Sequence, residues 1–247
     1  MSHEVSRARK VLRDVTWLRS SYHFARALVA SIGDTRSHSR AKLDRLHSTA
    51  NDIWQYSTIE KSGRGRFLRE TGMLDDVRDN RCFPRAMEIG CHEGAYTEYL
   101  SARCDRVLAV DLSPVVLERA KNRRKWTNVE FQAFDLRSDA LPGFFDLIVV
   151  ASVLETFYRP ADLHAAREKL IAAMLPGSYL LIGNVRGNEF FEQARWTKWL
   201  IRGGKRISEF FGCDDRLKLI AQKSDDLYID SLFRRSGDPL HGGRTSR

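Results

Sequence analysis

The residues best suited to chemistry lie in three short stretches. Glu88-Ile89-Gly90-Cys91-His92-Glu93-Gly94 closes one apolar run, Asp111 closes the next, 21 residues after Gly90, and Asp135 closes a third within Phe134-Asp135-Leu136. A glycine turn at the carboxyl end of a strand lets backbone approach a ligand, and an acidic group about 20 residues on accepts from ribose hydroxyls. The pattern predicts a nucleoside pocket, with Asp135 accepting from an adenine amino group and Phe134 or Leu136 against the ring. It is not the dinucleotide frame. A G-x-G-x-x-G motif from Gly90 would need glycine where His92 and Ala95 stand, and no G-x-x-x-x-G-K occurs. The missing second glycine disfavours a pyrophosphate.

Glu88, Asp111 and Asp135 make an acidic rim in a chain of formal net charge +9. The expected ligand is therefore a nucleoside carrying positive charge and no pyrophosphate. S-adenosylmethionine, with its sulfonium and amino group, meets these demands, and S-adenosylhomocysteine would be its product. Gly90, Cys91, Gly94, Leu112, Leu136 and Ala151 flank the same strand ends and complete the expected cofactor contacts. Cys91 is expected to act there as a small packing residue, not a nucleophile. Methyl transfer from a sulfonium asks the protein to align a nucleophile and exclude water. An amine attacks directly and sheds its proton afterwards, whereas a hydroxyl needs a base in the transition state. Glu155, after the fourth strand, and His92, in the loop, are the candidate bases. Tyr158, Arg159 and Asn184 are candidate acceptor contacts, and Phe190, Phe191, Trp196 and Trp199 form a lid, a core or an oligomer contact.

These residues need strand ends to hold them. Short strands are predicted at 86–90, 106–110, 129–134, 145–151 and 179–183, and helices at 95–102, from Pro114 to about Lys125 with Ser113 as cap, and from Pro160 to about Leu175. The run 145–151 is almost wholly apolar, as expected of a strand buried on both faces of a parallel sheet. Alternating strands and helices imply a doubly wound α/β fold. Leu217–Ala221 and Leu227–Phe233 flank a turn at Ser224-Asp225-Asp226 and predict a closing hairpin. The expectation is a mostly parallel seven-stranded sheet with an antiparallel edge hairpin. Before it, apolar residues at helical spacing predict a long helix over 5–32, then one from about Ser39 to Ile53, a turn-rich segment at 57–65 and a short helix at 67–74. Helices are also expected at 190–200 and 207–211. This divides the chain into an N-terminal helical extension (1–50), a cofactor-binding domain (51–236) and a flexible tail (237–247).

Composition narrows the class. No apolar run approaches the about 20 residues of a membrane span, and charges at Glu4, Arg7, Arg9 and Lys10 interrupt any signal-peptide core. The four cysteines form no C-x-x-C pair, so neither zinc nor a disulfide framework is expected and a cytoplasmic location is. The positive charge is read as an Arg-rich solvated surface, because no basic run exceeds three residues (Arg123 to Lys125).

In order and spacing, E-I-G-C-H-E-G-A-Y-T, V-L-A-V-D-L-S-P, Q-A-F-D-L and F-D-L-I-V-V-A-S-V-L-E resemble the successive motifs of class I S-adenosylmethionine-dependent methyltransferases, over roughly residues 50–235. Asp52-Ile53-Trp54-Gln55-Tyr56-Ser57-Thr58 and the A-S-V-L-E turn are most similar to the NodS-type N-methyltransferases, which act on an amino sugar of a nodulation oligosaccharide. Ile53 stands where that group commonly has proline, and His92 where a small residue is usual. The resemblance implies that Glu88 to Gly94 wraps the methionine part, Asp111 holds the ribose, Asp135 the adenine, and Trp54 lies over the cofactor. Arg64 or Arg66 is assigned by charge to the cofactor carboxylate. The expected function is methyl transfer to a small-molecule or saccharide acceptor, an amine of an amino sugar foremost. An RNA methyltransferase docking through the basic N-terminal helix, and a non-catalytic cofactor-binding scaffold, are the alternatives. Both monomer and homodimer stay open.

Overall fold

In the computed structural model, residues 36–49, 63–157, 159–185 and 203–237 are described. The elements run α1 (Arg36–Thr49), α2 (Gly63–Asp75), β1 (Phe83–Ile89), α3 (Thr97–Ser101), β2 (Cys104–Asp111), α4 (Pro114–Arg123), β3 (Val129–Ala133), β4 (Phe145–Ala151), a 3-10 turn (Leu154–Thr156), α5 (Pro160–Ala172), β5 (Met174–Val185), α6 (Gly204–Gly212), β6 (Leu217–Ser224) and β7 (Tyr228–Arg235).

The apolar run of β4 lies near the middle of the sheet, with Leu147, Ile148, Val149 and Val150 all fully buried. The seven strands are ordered β3-β2-β1-β4-β5-β7-β6. The first five are parallel, β7 pairs antiparallel with β5, and β6 antiparallel with β7. The chain builds outward from β1 to β3, then returns to start β4 on the other side of β1. That reversal places the ligand crevice beyond the carboxyl ends of β1 and β4. The side-chain period of two splits each central strand between two cores. Met87, Ile89, Ile148 and Val150 meet Leu163, Leu170, Ile207 and Phe211 on one face. Ala86, Leu147 and Val149 meet Phe67, Leu74, Leu100 and Leu117 on the other. In α5, the spacing of Leu163, Ala166 and Leu170 turns one stripe inward.

The strands and the hairpin fall where the sequence places them, with three differences. The expected cap at Ser113 is absent: Ser113 precedes α4, but its hydroxyl donates to Asp44 Oδ1 of α1 at 2.5 Å. Pointing its proton at that carboxylate turns the hydroxyl away from the helix amides, from which a capping oxygen would accept. The helix expected at 67–74 starts earlier, at Gly63, inside the stretch read as turn-rich. Strand β5 starts before the expected 179–183 and takes in Pro176-Gly177, where the register against β4 jumps from Phe145↔Met174 to Leu147↔Tyr179. Gly177, at φ +81°, absorbs the irregularity. The helices expected at 5–32 and 190–200 lie outside the described residues. Among those described, no helix is long and apolar enough to cross a membrane.

Candidate active site

The glycine loop after β1 and Asp111 at the end of β2 lie side by side at the carboxyl ends of the central strands. Gly90 and Gly94 have φ +86° and +78°, and His92 between them has φ +49°. The loop thus reverses direction with three left-handed residues, two of them glycines. A side chain at Gly90 would meet Val153 Cγ2 at 2.4 Å, so the turn is pressed onto the loop after β4. Cys91 is buried, and burial raises its thiol pKa well above the ordinary value, which keeps it an inert packing group.

Asp111 at the end of β2 accepts from the His92 amide at 3.0 Å through one carboxylate oxygen and from the Ser113 amide at 3.0 Å through the other. Burial raises its pKa, offset by those amides. A carboxylate offers about four lone-pair directions, so two amide bonds leave acceptor capacity for a diol. Asp135 is buried and accepts from the Arg137 amide at 3.0 Å, and Leu136 is buried beside it. Leu112 and Ala151 are half-buried at the rim.

Glu88 lies under the loop with 2% exposure. Burial pushes its carboxyl up to about 8, and the Thr97 hydroxyl holds it from rising further. Its Oε2 has no hydrogen-bond partner among the described residues, and the same holds for Tyr96 Oη, Glu155 Oε2 and Asn184 Oδ1, all shut off from solvent. Buried polar atoms without partners are costly, and a cationic amine fits this set. Burial raises Glu155 to about 7, against the opposing pull of the Arg66 guanidinium.

Arg66, on α2, is 1% exposed. Its Nη1 donates to Ser152 Oγ at 2.7 Å and its Nε to Glu70 Oε1 at 2.8 Å. The structure thus gathers Arg66, Glu88, Glu155 and Asn184 at the ends of β1, β4 and β5. It does not bring His92 into that group. The His92 ring packs against His47 of α1, with ring centroids 4.9 Å apart, over Asp111. Arg159 sits at the start of α5, exposed and paired with Asp162 at 2.9 Å. The Arg64 side chain, Trp54 and Tyr158 lie outside the described residues.

Several participants were not singled out from the sequence: His47, Glu70, Tyr96, Ser152 and Asp230. Glu70 stands four residues after Arg66 on a helix, a spacing that pairs side chains. The others come together only through tertiary packing. Helix α1 docks on α4 and the loop through the Asp44–Ser113 bond, the His47–His92 contact and Arg119 Nη2 donating to the His47 carbonyl at 2.8 Å. The family model of Nodulation protein S (NodS) matches residues 37–211, from α1 into α6.

The chain belongs to the NodS family. It is 36% identical to Nodulation protein S of Bradyrhizobium diazoefficiens over 155 residues, 62% of this chain and 71% of that protein. It is 33% identical to Nodulation protein S of Rhizobium tropici over 154 residues, 61% of this chain and 62% of that one. The crystal structure of N-methyltransferase NodS from Bradyrhizobium japonicum WM9 in complex with S-adenosylhomocysteine superposes with a TM-score of 0.63 at 24% identity, covering 78% of this chain and 97% of the other. Like the NodS family, the chain is an S-adenosylmethionine-dependent methyltransferase.

Proposed function

We propose that this NodS-family enzyme methylates the amine of an amino-sugar acceptor. The observation that carries the reading is the carboxylate of half-buried Glu155, just after β4, whose Oε2, like Glu88 Oε2 and Asn184 Oδ1 at the ends of β1 and β5, is shut off from solvent with no partner among the described residues. This set of desolvated acidic and acceptor groups favours a cationic amine over a neutral hydroxyl or a phosphate backbone. S-adenosylmethionine supplies a methyl group already activated on sulfur. The protein must then hold an acceptor nitrogen in line and take a proton from it.

Asp111 binds the ribose hydroxyls and Asp135 faces the adenine amino group. Gly90 to Gly94 passes close along the methionine part, with Arg66 on its carboxylate. Glu155 accepts the proton that an acceptor ammonium sheds before its lone pair attacks, and Asn184 accepts a hydrogen bond from the sugar. His92 serves the loop's shape and the docking of α1, not proton transfer. We read 1–50 as an extension from which α1 covers the adenosine side, and 237–247 as a tail. The unpaired thiols of Cys82, Cys91, Cys104 and Cys213 suit a cytoplasmic enzyme.

The test is methyl transfer from labelled S-adenosylmethionine to three acceptors: an oligosaccharide with one free amine, its fully N-acetylated counterpart, and RNA. Label on the first alone is expected. Equal label on the N-acetylated sugar would move the reaction to oxygen, label on RNA would favour the macromolecular reading, and cofactor binding with no acceptor would favour a scaffold.

A further inference from the structure

Four elements meet over Gly183. A Cβ there would lie 2.2 Å from Glu70 Oε1, 2.4 Å from Arg66 Nη2 and 2.9 Å from Asp230 Oδ1. The bare backbone of β5 is thus the floor on which a buried ionic cluster rests. Glu70 and Asp230 are fully buried, and Asp230 lies directly across from Gly183 in the β5–β7 ladder.

Each part of the cluster limits the freedom of Arg66. Its Nε is shared between Glu70 Oε1 at 2.8 Å and Asp230 Oδ1 at 3.6 Å. The Tyr228 ring lies 4.5 Å from its Cζ. Arg69 Nε holds the other Asp230 oxygen at 2.6 Å, and Arg69 Nη1 reaches Asp225 at 2.6 Å. The Nη1 side is turned toward the loop after β4, onto Ser152. Ser152 is itself held in a left-handed conformation, φ +55°, with its amide on the Gly183 carbonyl at 2.7 Å. A long arginine side chain forfeits much of its rotamer entropy when fixed. Here that cost is met within the folded protein before any ligand arrives, which is preorganisation.

We infer that Glu70 and Asp230 are positioning residues: they grip the Nε edge of Arg66 so that its guanidinium is preset for the amino-acid carboxylate of the cofactor. This rests on the reading of Arg66 given above. A cluster that only stitched α2 to the sheet would support every part of the cofactor equally. A positioning device acts on the carboxylate alone.

The experiment is calorimetric titration of the full chain with S-adenosylhomocysteine and with 5′-methylthioadenosine, which keeps the nucleoside and thioether but has no amino acid. Glu70→Gln, Asp230→Asn and Arg66→Gln are compared with wild type. All three variants are expected to lose about tenfold to a hundredfold in S-adenosylhomocysteine affinity, the scale of one charge-assisted contact. Their affinity for methylthioadenosine should be unchanged, which also reports an intact fold. Parallel loss of both ligands in Glu70→Gln and Asp230→Asn would overturn the inference in favour of a structural role. So would a selective loss in Arg66→Gln that neither carboxylate variant shares. If Arg66→Gln itself shows no selectivity, the assignment of Arg66 to the carboxylate fails, and the inference falls with it.

Discussion

The amide of His92 donates to a carboxylate oxygen of Asp111 at 3.0 Å, from a backbone held at φ +49°. An imidazole side chain stands at this position, and the loop keeps the left-handed turn. Left-handed backbone costs a non-glycine residue about 1–2 kcal/mol. The bond to Asp111 and the packing of the ring on His47 offset that cost.

His92→Asn tests what the ring is for. Asparagine tolerates left-handed backbone, so the bond to Asp111 should survive while the contact with His47 is lost. The turnover number should stay near wild type, with cofactor affinity reduced by no more than about tenfold, the range of a single lost ring contact. A hundredfold fall in turnover with unchanged affinity would restore His92 as the base.

Glu155→Gln should instead strike the chemical step. Burial raises Glu155 from 4.5 to about 7, and a base works when deprotonated, so wild-type kcat/KM for an amine should rise with pH through about 7 and then level off. The glutamine variant should lose that limb and run far slower at pH 8. The sign for stability is opposite. A carboxyl whose pKa is higher folded than unfolded contributes stability fully below its unfolded value, and that contribution is lost as pH rises through its folded one. Relative to wild type, the variant should therefore be more heat-resistant at pH 8 than at pH 5. A flat wild-type pH profile would remove Glu155 from proton transfer.

Gly90→Ala should damage the loop for two separable reasons. Its Cβ would overlap Val153 Cγ2 at 2.4 Å, and its φ is +86°. Thermal denaturation should show a loss of about 1–3 kcal/mol from each source. Adding Val153→Ala should recover the steric part and leave the conformational part. Full recovery in the double variant would mean the backbone tolerates alanine without strain.

The contrast between what was and was not readable follows from range. Glu88, Gly90 and Asp111 are legible because each ends a strand, and strand ends in an open parallel sheet form one crevice. The β6–β7 hairpin is legible because a turn cluster separates two apolar runs. Asp230 is not, because its place depends on the β5–β7 register that sets it opposite Gly183, and nothing local to either residue fixes that pairing. Ser113 shows the same limit in small. It has a cap's sequence context, but α1 delivers Asp44 to its hydroxyl from 69 positions away. His47 likewise joins the site only because α1 folds back over the loop.

The most direct test of the cofactor site is calorimetric titration of wild type and Asp111→Ala with S-adenosylhomocysteine. Micromolar binding by wild type and a loss of about a hundredfold in the variant are expected if Asp111 holds the ribose hydroxyls. Equal affinity in the two proteins, or no binding by wild type, would contradict it.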